Sequence, residues 1–188
     1  MKISPIVDSD VGEQEAVLQA AKLALISART APKAGGKDDI LTMLVFGKEK
    51  EDLADKMYEL AEKRNIDGFR RDGKNVRDSA AVLLIGVRGN KSFGLHCGAC
   101  GFKDCNEFEK APKKAGNDFT GPNCFFKELD LGIALGSAAK TASILNVDNR
   151  IMYRIGPAAL ELGWLPEATV VHGIPLSVTG KSIYFDRS

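Results

Sequence analysis

Apolar residues first recur at helical spacing between Val11 and Ala28, where Val17, Ala20, Ala21, Ala24, Leu25 and Ala28 mark one face. Asp10 and Glu13 ahead of that run form a capping-box-like start, and the alanine-rich stripe lets the helix lie close to a neighbour. Pro32, Gly35 and Gly36 then break the chain, and the run Ile40 to Phe46 reads as a buried strand. From Lys48 to Asn65 the helical period returns, with Leu53, Met57, Leu60 and Ala61 on one face. Ala80 to Val87 reads as a second buried strand. Between these two elements, the cation-rich stretch Gly68 to Arg77 with its aspartates reads as a solvated loop. A small-residue helix is predicted from Phe126 to Leu145, with Leu131, Leu135, Ala138, Ala142 and Leu145 on one face. Gly132 and Gly136 lower its propensity, so close backbone approach is expected there. A short helix interrupted at Gly156–Pro157 is expected within Arg150 to Leu162. Thr169 to Ile174 is expected as a third strand, ended by Pro175.

Residues 89–125 follow neither period. They carry all four cysteines, many glycines and Phe93, Phe102, Phe108, Phe119 and Phe125, with Phe126 one position beyond. They read as a cofactor-organised insertion in a single α/β domain spanning residues 1–188.

Composition narrows the chemistry. An apolar share of 44% and a charged share of 27% are those of a globular chain. A formal charge of +1 gives no basic excess for nucleic acid. The apolar run Ala80 to Val87 is too short to span a bilayer, and the N-terminal MKISPIVDSDVGEQE turns acidic before any signal-like apolar run. A cytoplasmic protein is expected, and in that reducing compartment grouped cysteines read as metal-binding or redox-active.

The grouping is Cys97-Gly-Ala-Cys100-Gly-Phe-Lys-Asp-Cys105, with Cys124 further on. Two residues between Cys97 and Cys100 let both thiolates face one centre, and Gly98 and Gly101 allow backbone N–H groups to turn toward anionic sulfur. Four thiolates suit a 4Fe-4S cluster, a 2Fe-2S cluster or a tetrahedral zinc, and free thiols remain an alternative. Zinc ribbons more often use two C-x2-C knuckles, and one is present here, so an iron–sulfur cluster is the leading reading. His96 beside Cys97 is expected in a supporting role behind the ligands, and His172 as a satisfied core histidine. Gly35-Gly36-Lys37 is no phosphate loop, since Asp38 stands where Ser or Thr is needed; no dinucleotide fingerprint follows a strand. Asp148-Asn149-Arg150 suggests no mechanism.

The strings CGACGF, GPNCFFKELDLGIALGSAAKTASILNVDNRIMYRIG and GIPLSVTGKSIYFDR, with ARTAPKAGGKD near the start, resemble the uncharacterised family of ferredoxin-domain-containing proteins. The resemblance implies a cluster bound by Cys97, Cys100, Cys105 and Cys124, and electron exchange with a redox partner protein or a small-molecule acceptor. A second resemblance is to the FMN-dependent nitroreductase-like fold. It rests on Arg29, Thr30 and Lys33 after the first helix, the small-residue helix DLGIALGSAAKTAS, and the late Gly173-Ile-Pro175. That resemblance implies a sheet flanked by helices, a homodimer, and an FMN phosphate site made by Arg29, Thr30 and Lys33 and completed by Lys181. Lys33 stands where that fold usually has arginine.

Overall fold

The computed structural model describes residues 6–185. The first five residues of the acidic N-terminal stretch, and Asp186 and Arg187 of the last motif, lie outside the described residues. A 22-residue helix, α1 (Ser9–Thr30), opens the fold and buries Val17, Ala20, Ala21, Ala24 and Ala28 as the spacing requires. It begins earlier than the pattern suggested, and the expected Asp10–Glu13 box does not form: Ser9 Oγ donates to Glu13 Oε1 instead (2.8 Å). After a 3-10 turn at Ala34–Gly36 come β1 (Ile40–Phe46) and α2 (Gly47–Arg64), which buries Leu53, Met57, Leu60 and Ala61.

The expected loop at 68–77 is instead a helix, α3 (Asp67–Arg77). Its inner face holds Phe69 and Val76, two turns apart, with Asp72 between them. Asp72 is buried because Arg71 and Arg154 pair with its two oxygens (2.7 and 3.2 Å). A carboxylate on the inward stripe hid the helical period from a reading based on hydrophobicity.

Strand β2 (Ala81–Val87) is buried throughout and pairs antiparallel with β1, Ile40 opposite Val87 and Phe46 opposite Ala81. A short helix α4 (Cys105–Lys110), the two-residue strands β3 (Lys114–Ala115) and β4 (Thr120–Gly121), and then α5 (Phe125–Ile144) follow. The chain continues through β5 (Asp148–Asn149), α6 (Ile155–Glu161) and β6 (Val170–Ser177). Strand order in the four-stranded sheet is β1-β2-β6-β5, all antiparallel. Alternation along the strands divides the core. Leu83, Ile85, Val170 and Ile174 face α1 and α5, whereas Val82, Leu84 and Val171 face α2, α3 and α6.

Two expectations about proline are corrected. Pro157 does not interrupt a helix; it lies in the first turn of α6, where its missing N–H has no intrahelical partner to lose. Pro175 does not end β6 but sits inside it, opposite Val82. The N–H and C=O of Gly173 both face Met152 (3.1 and 2.8 Å), and the Leu176 carbonyl faces Ala80 on the β2 side (2.9 Å). By alternation Pro175 turns its nitrogen away from β2, into the gap between the Met152 bridge and β5, where no ladder donor is needed. The close approach expected at Gly132 and Gly136 is also absent: both face open space, with no heavy atom within 4 Å of where a Cβ would stand. Asp148-Asn149-Arg150 proves structural, forming β5 and tying the Tyr184 carbonyl to Arg150 Nη1 (2.7 Å). Among the described residues no helix is long and apolar enough to cross a membrane.

Candidate functional site

All four cysteines line one pocket beyond the carboxyl end of β2, although Cys105 and Cys124 are far apart in sequence. Each is placed by a local device. Gly98 and Gly101 take left-handed backbone (φ 71° and 85°), which folds the Cys97–Cys100 segment into a tight turn closed by Gly101 N–H to Gly98 O (2.9 Å). That bond engages the Gly101 donor within the turn. Cys105 opens α4, whose cap is Asp104: its carboxylate accepts the Glu107 N–H (2.9 Å), and Glu107 Oε2 accepts the Lys103 N–H (2.7 Å). Cys124 precedes α5 at its N-cap position and is tied to the end of β2 by its own N–H, donated to Gly89 O (2.7 Å). Cys124 thus stands at the start of a 20-residue helix.

Aromatic rings wall the pocket. Phe93 and Phe126 lie 6.2 Å apart, Phe126 meets Phe125 edge-on at 5.5 Å, and Phe108 is braced by Phe102 at 5.7 Å. Burial is graded: Cys97 is exposed, Cys100 and Cys105 half-buried, Cys124 buried. Leu95 and Phe125 stand about half exposed at the rim. Among the described residues no three His, Cys, Asp or Glu side chains close tightly enough to grip one ion.

His96 is also placed here, and its part was only loosely legible in the sequence. Its backbone N–H donates to Cys105 Sγ and its Nδ1 accepts the Cys105 N–H, both at 3.3 Å. Charged groups missed by the sequence reading lie behind the pocket. Lys127, fully buried, sits 2.6 Å from Asp39 and 5.4 Å from the centre of the Phe93 ring. One turn into α5, burial pushes the Glu128 carboxyl up to about 7. Their signal was position: both lie within one turn of Cys124.

The other predicted group, at the end of α1, bonds to the chain itself. Arg29 Nη1 binds Asp38 (2.6 Å) and the Ile40 carbonyl (2.8 Å), and this contact with Arg29 helps draw the Asp38 carboxyl below its usual range against the opposing pull of burial. Thr30 Oγ1 donates to Ile26 O (3.0 Å), and Lys33 Nζ caps the last carbonyls of α1, at Ala28 (3.3 Å) and Ala31 (2.8 Å). Lys181 follows β6 three positions after Val178, which shares a pocket with Gln14 and Val17 of α1. Gln14 and Arg29 are separated by roughly 22 Å along the helix. His172 is not the satisfied core residue expected. It lies half-buried between Phe119 and Tyr153 (5.9 Å to each), Nδ1 has no partner, and burial lowers its pKa.

Residues 120–187 match the model of a family described as uncharacterized proteins containing a ferredoxin domain. That stretch holds Cys124 and α5 but not the other three cysteines. An uncharacterized protein of Archaeoglobus fulgidus is 53% identical over 176 residues, 94% of either chain. Among solved structures, the nitroreductase CinD of Lactococcus lactis in complex with nicotinic acid superposes with a TM-score of 0.59 at 13% identity, over 94% of this chain and 82% of that one. A nitroreductase with bound FMN from Desulfitobacterium hafniense gives 0.54 at 14% identity, over 95% and 82%. At such identities the likeness is one of fold: a nitroreductase-like sheet flanked by helices.

Proposed function

The chain belongs to the family of uncharacterized proteins containing a ferredoxin domain, and from that premise we propose that it is an electron-transfer protein holding one iron–sulfur cluster, of the 4Fe-4S type. The observation that carries the reading is the convergence of Cys97, Cys100, Cys105 and Cys124 on one aromatic-walled pocket. The pocket fits such a group better than zinc. A single zinc draws four sulfurs to about 2.3 Å from one point, whereas each thiolate of a 4Fe-4S cluster holds its own iron atom. The chain carries a single C-x2-C pair where zinc ribbons more often use two, which favours the second arrangement. When bound, the cluster would supply a one-electron change. The chain's own part is to present four thiolates, to exclude water with Phe93, Phe108 and Phe126, and to leave Cys97 at the surface, where an electron can pass to a redox partner protein or a small-molecule acceptor. Free thiols of this kind suit the reducing cytoplasm.

The same reading includes a homodimer. The outer face of α5 carries Phe125, Leu129, Ile133 and Ile144, all exposed, with Gly132 and Gly136 among them. An apolar helix face whose glycines leave room for another backbone is suited to a second copy of itself.

Anaerobic purification after iron and sulfide reconstitution tests the proposal. Near-equal iron and sulfide, about four of each per chain, with a broad band near ~400 nm are expected, both lost in Cys124→Ser. Stoichiometric zinc without sulfide would overturn it.

A flavin-dependent oxidoreductase is the second reading, favoured by the nitroreductase-like fold. Arg29, Thr30, Lys33 and Lys181 are the FMN phosphate site this reading calls for; the first three bond to the chain itself, contacts that a phosphate would exchange. Flavin analysis of the same preparation decides between the two.

A further inference from the structure

We infer that His96 is a positioning residue that locks Cys105 from two sides and thereby raises the reduction potential of the centre Cys105 helps to hold. The redox part of this inference rests on the iron–sulfur reading above. Three observations converge. First, His96 has a left-handed backbone (φ 51°), uncommon outside glycine but one that histidine, like asparagine, adopts more readily than most residues. Second, that backbone turn aims the His96 N–H at Cys105 Sγ (3.3 Å). Third, the imidazole returns the contact, with Nδ1 accepting the Cys105 N–H (3.3 Å), so the side chain holds the backbone whose sulfur the His96 amide touches.

The reciprocity explains why a histidine occupies this position. A glycine would adopt the φ freely but could not accept the Cys105 N–H, and an alanine could do neither well. Asparagine could do both, because it tolerates left-handed backbone and its Oδ1 lies near the place of Nδ1. At Nδ1 the imidazole acts as an acceptor for the Cys105 N–H. An N–H donor on a ligand sulfur stabilises the extra negative charge of the reduced state, which is one of the protein's levers on potential. The neighbouring cysteines have no such partner among the hydrogen bonds of the described residues, so the effect is specific to Cys105.

The test has two arms. In the apo protein, amide hydrogen exchange at Cys105 should be at least about tenfold slower in wild type than in His96→Gly or His96→Ala, with His96→Asn restoring most of the protection. Equal exchange in wild type and both truncations overturns the inference, whatever the pocket holds. In the reconstituted protein, potentiometric titration with dithionite should show one-electron reduction weakened about tenfold, ~59 mV lower, in His96→Gly at unchanged iron and sulfide content. His96→Asn should return toward wild type. An unchanged potential in both truncations overturns the tuning role, whereas wild type that takes up no cluster overturns the electron-transfer reading and leaves the lock to be judged by exchange.

Discussion

Lys127 and Asp39 form an ion pair of 2.6 Å at the inner wall of the cysteine pocket, with the lysine side chain 1% exposed and the aspartate 17%. The ammonium is close to the carboxylate without the alignment of a hydrogen bond, so charge rather than direction holds the pair. It lies in the first turn of α5, where the helix dipole disfavours a cation, and Asp39 at the start of β1 supplies the compensation. Lys127→Met should therefore destabilise the protein by about 2–4 kcal/mol by leaving Asp39 only its longer contact with the exposed Lys91 (3.8 Å). Adding Asp39→Asn should recover most of that loss. Urea denaturation of the two variants checks this, and additive losses would mean that the pair is not coupled.

Glu128 gives a pH dependence of definite sign. Burial raises its carboxyl from 4.5 to about 7. The folded chain keeps this proton between those values while the unfolded chain has lost it. Stability from this group is therefore full below pH ~4.5, falls as pH rises toward ~7, and is flat above. Partial solvent access limits the swing to about 1–2 kcal/mol. Glu128→Gln should flatten the Tm–pH profile over that window and raise Tm at pH 8; an unchanged slope would count against the raised carboxyl.

Gly156 marks the tightest approach of α6 to the sheet. A side-chain carbon there would lie 1.7 Å from the Val171 carbonyl oxygen. Gly156→Ala should cost about 3 kcal/mol or more, since a backbone atom has little room to yield. Thermal denaturation checks it, with Gly132→Ala on the open face of α5 as the control.

Gly136 answers a different question. It faces open space within the chain, so a large side chain there meets nothing of its own fold. Gly136→Arg should leave the circular dichroism spectrum unchanged but convert the proposed homodimer to monomer. Light scattering reads the mass: a wild-type monomer would overturn the homodimer, and a variant dimer would place the interface elsewhere.

Much of this architecture was legible along the chain. β1, β2, α1, α2 and α5 were marked by period and by runs of Val, Leu and Ile, because burial of one face imposes its spacing on the residues that make it. The four cysteines identified themselves by type and by the close spacing of Cys97, Cys100 and Cys105. Tertiary structure alone decided the rest. Asp72 could enter the core only because Arg154, distant in sequence, meets it there, and so α3 looked like a solvated loop. Pro175 could remain in a central strand only because β5 breaks off opposite its nitrogen. The bonds of Arg29 to Asp38 and of Lys33 to the end of α1 were likewise not written in the local sequence. Cys124 joins Cys97, Cys100 and Cys105 because its N–H closes onto Gly89 at the end of β2, bringing the start of α5 to the cysteine loop. Local period is written in neighbouring residues, but the partner that neutralises a buried charge or closes a pocket is chosen by the fold.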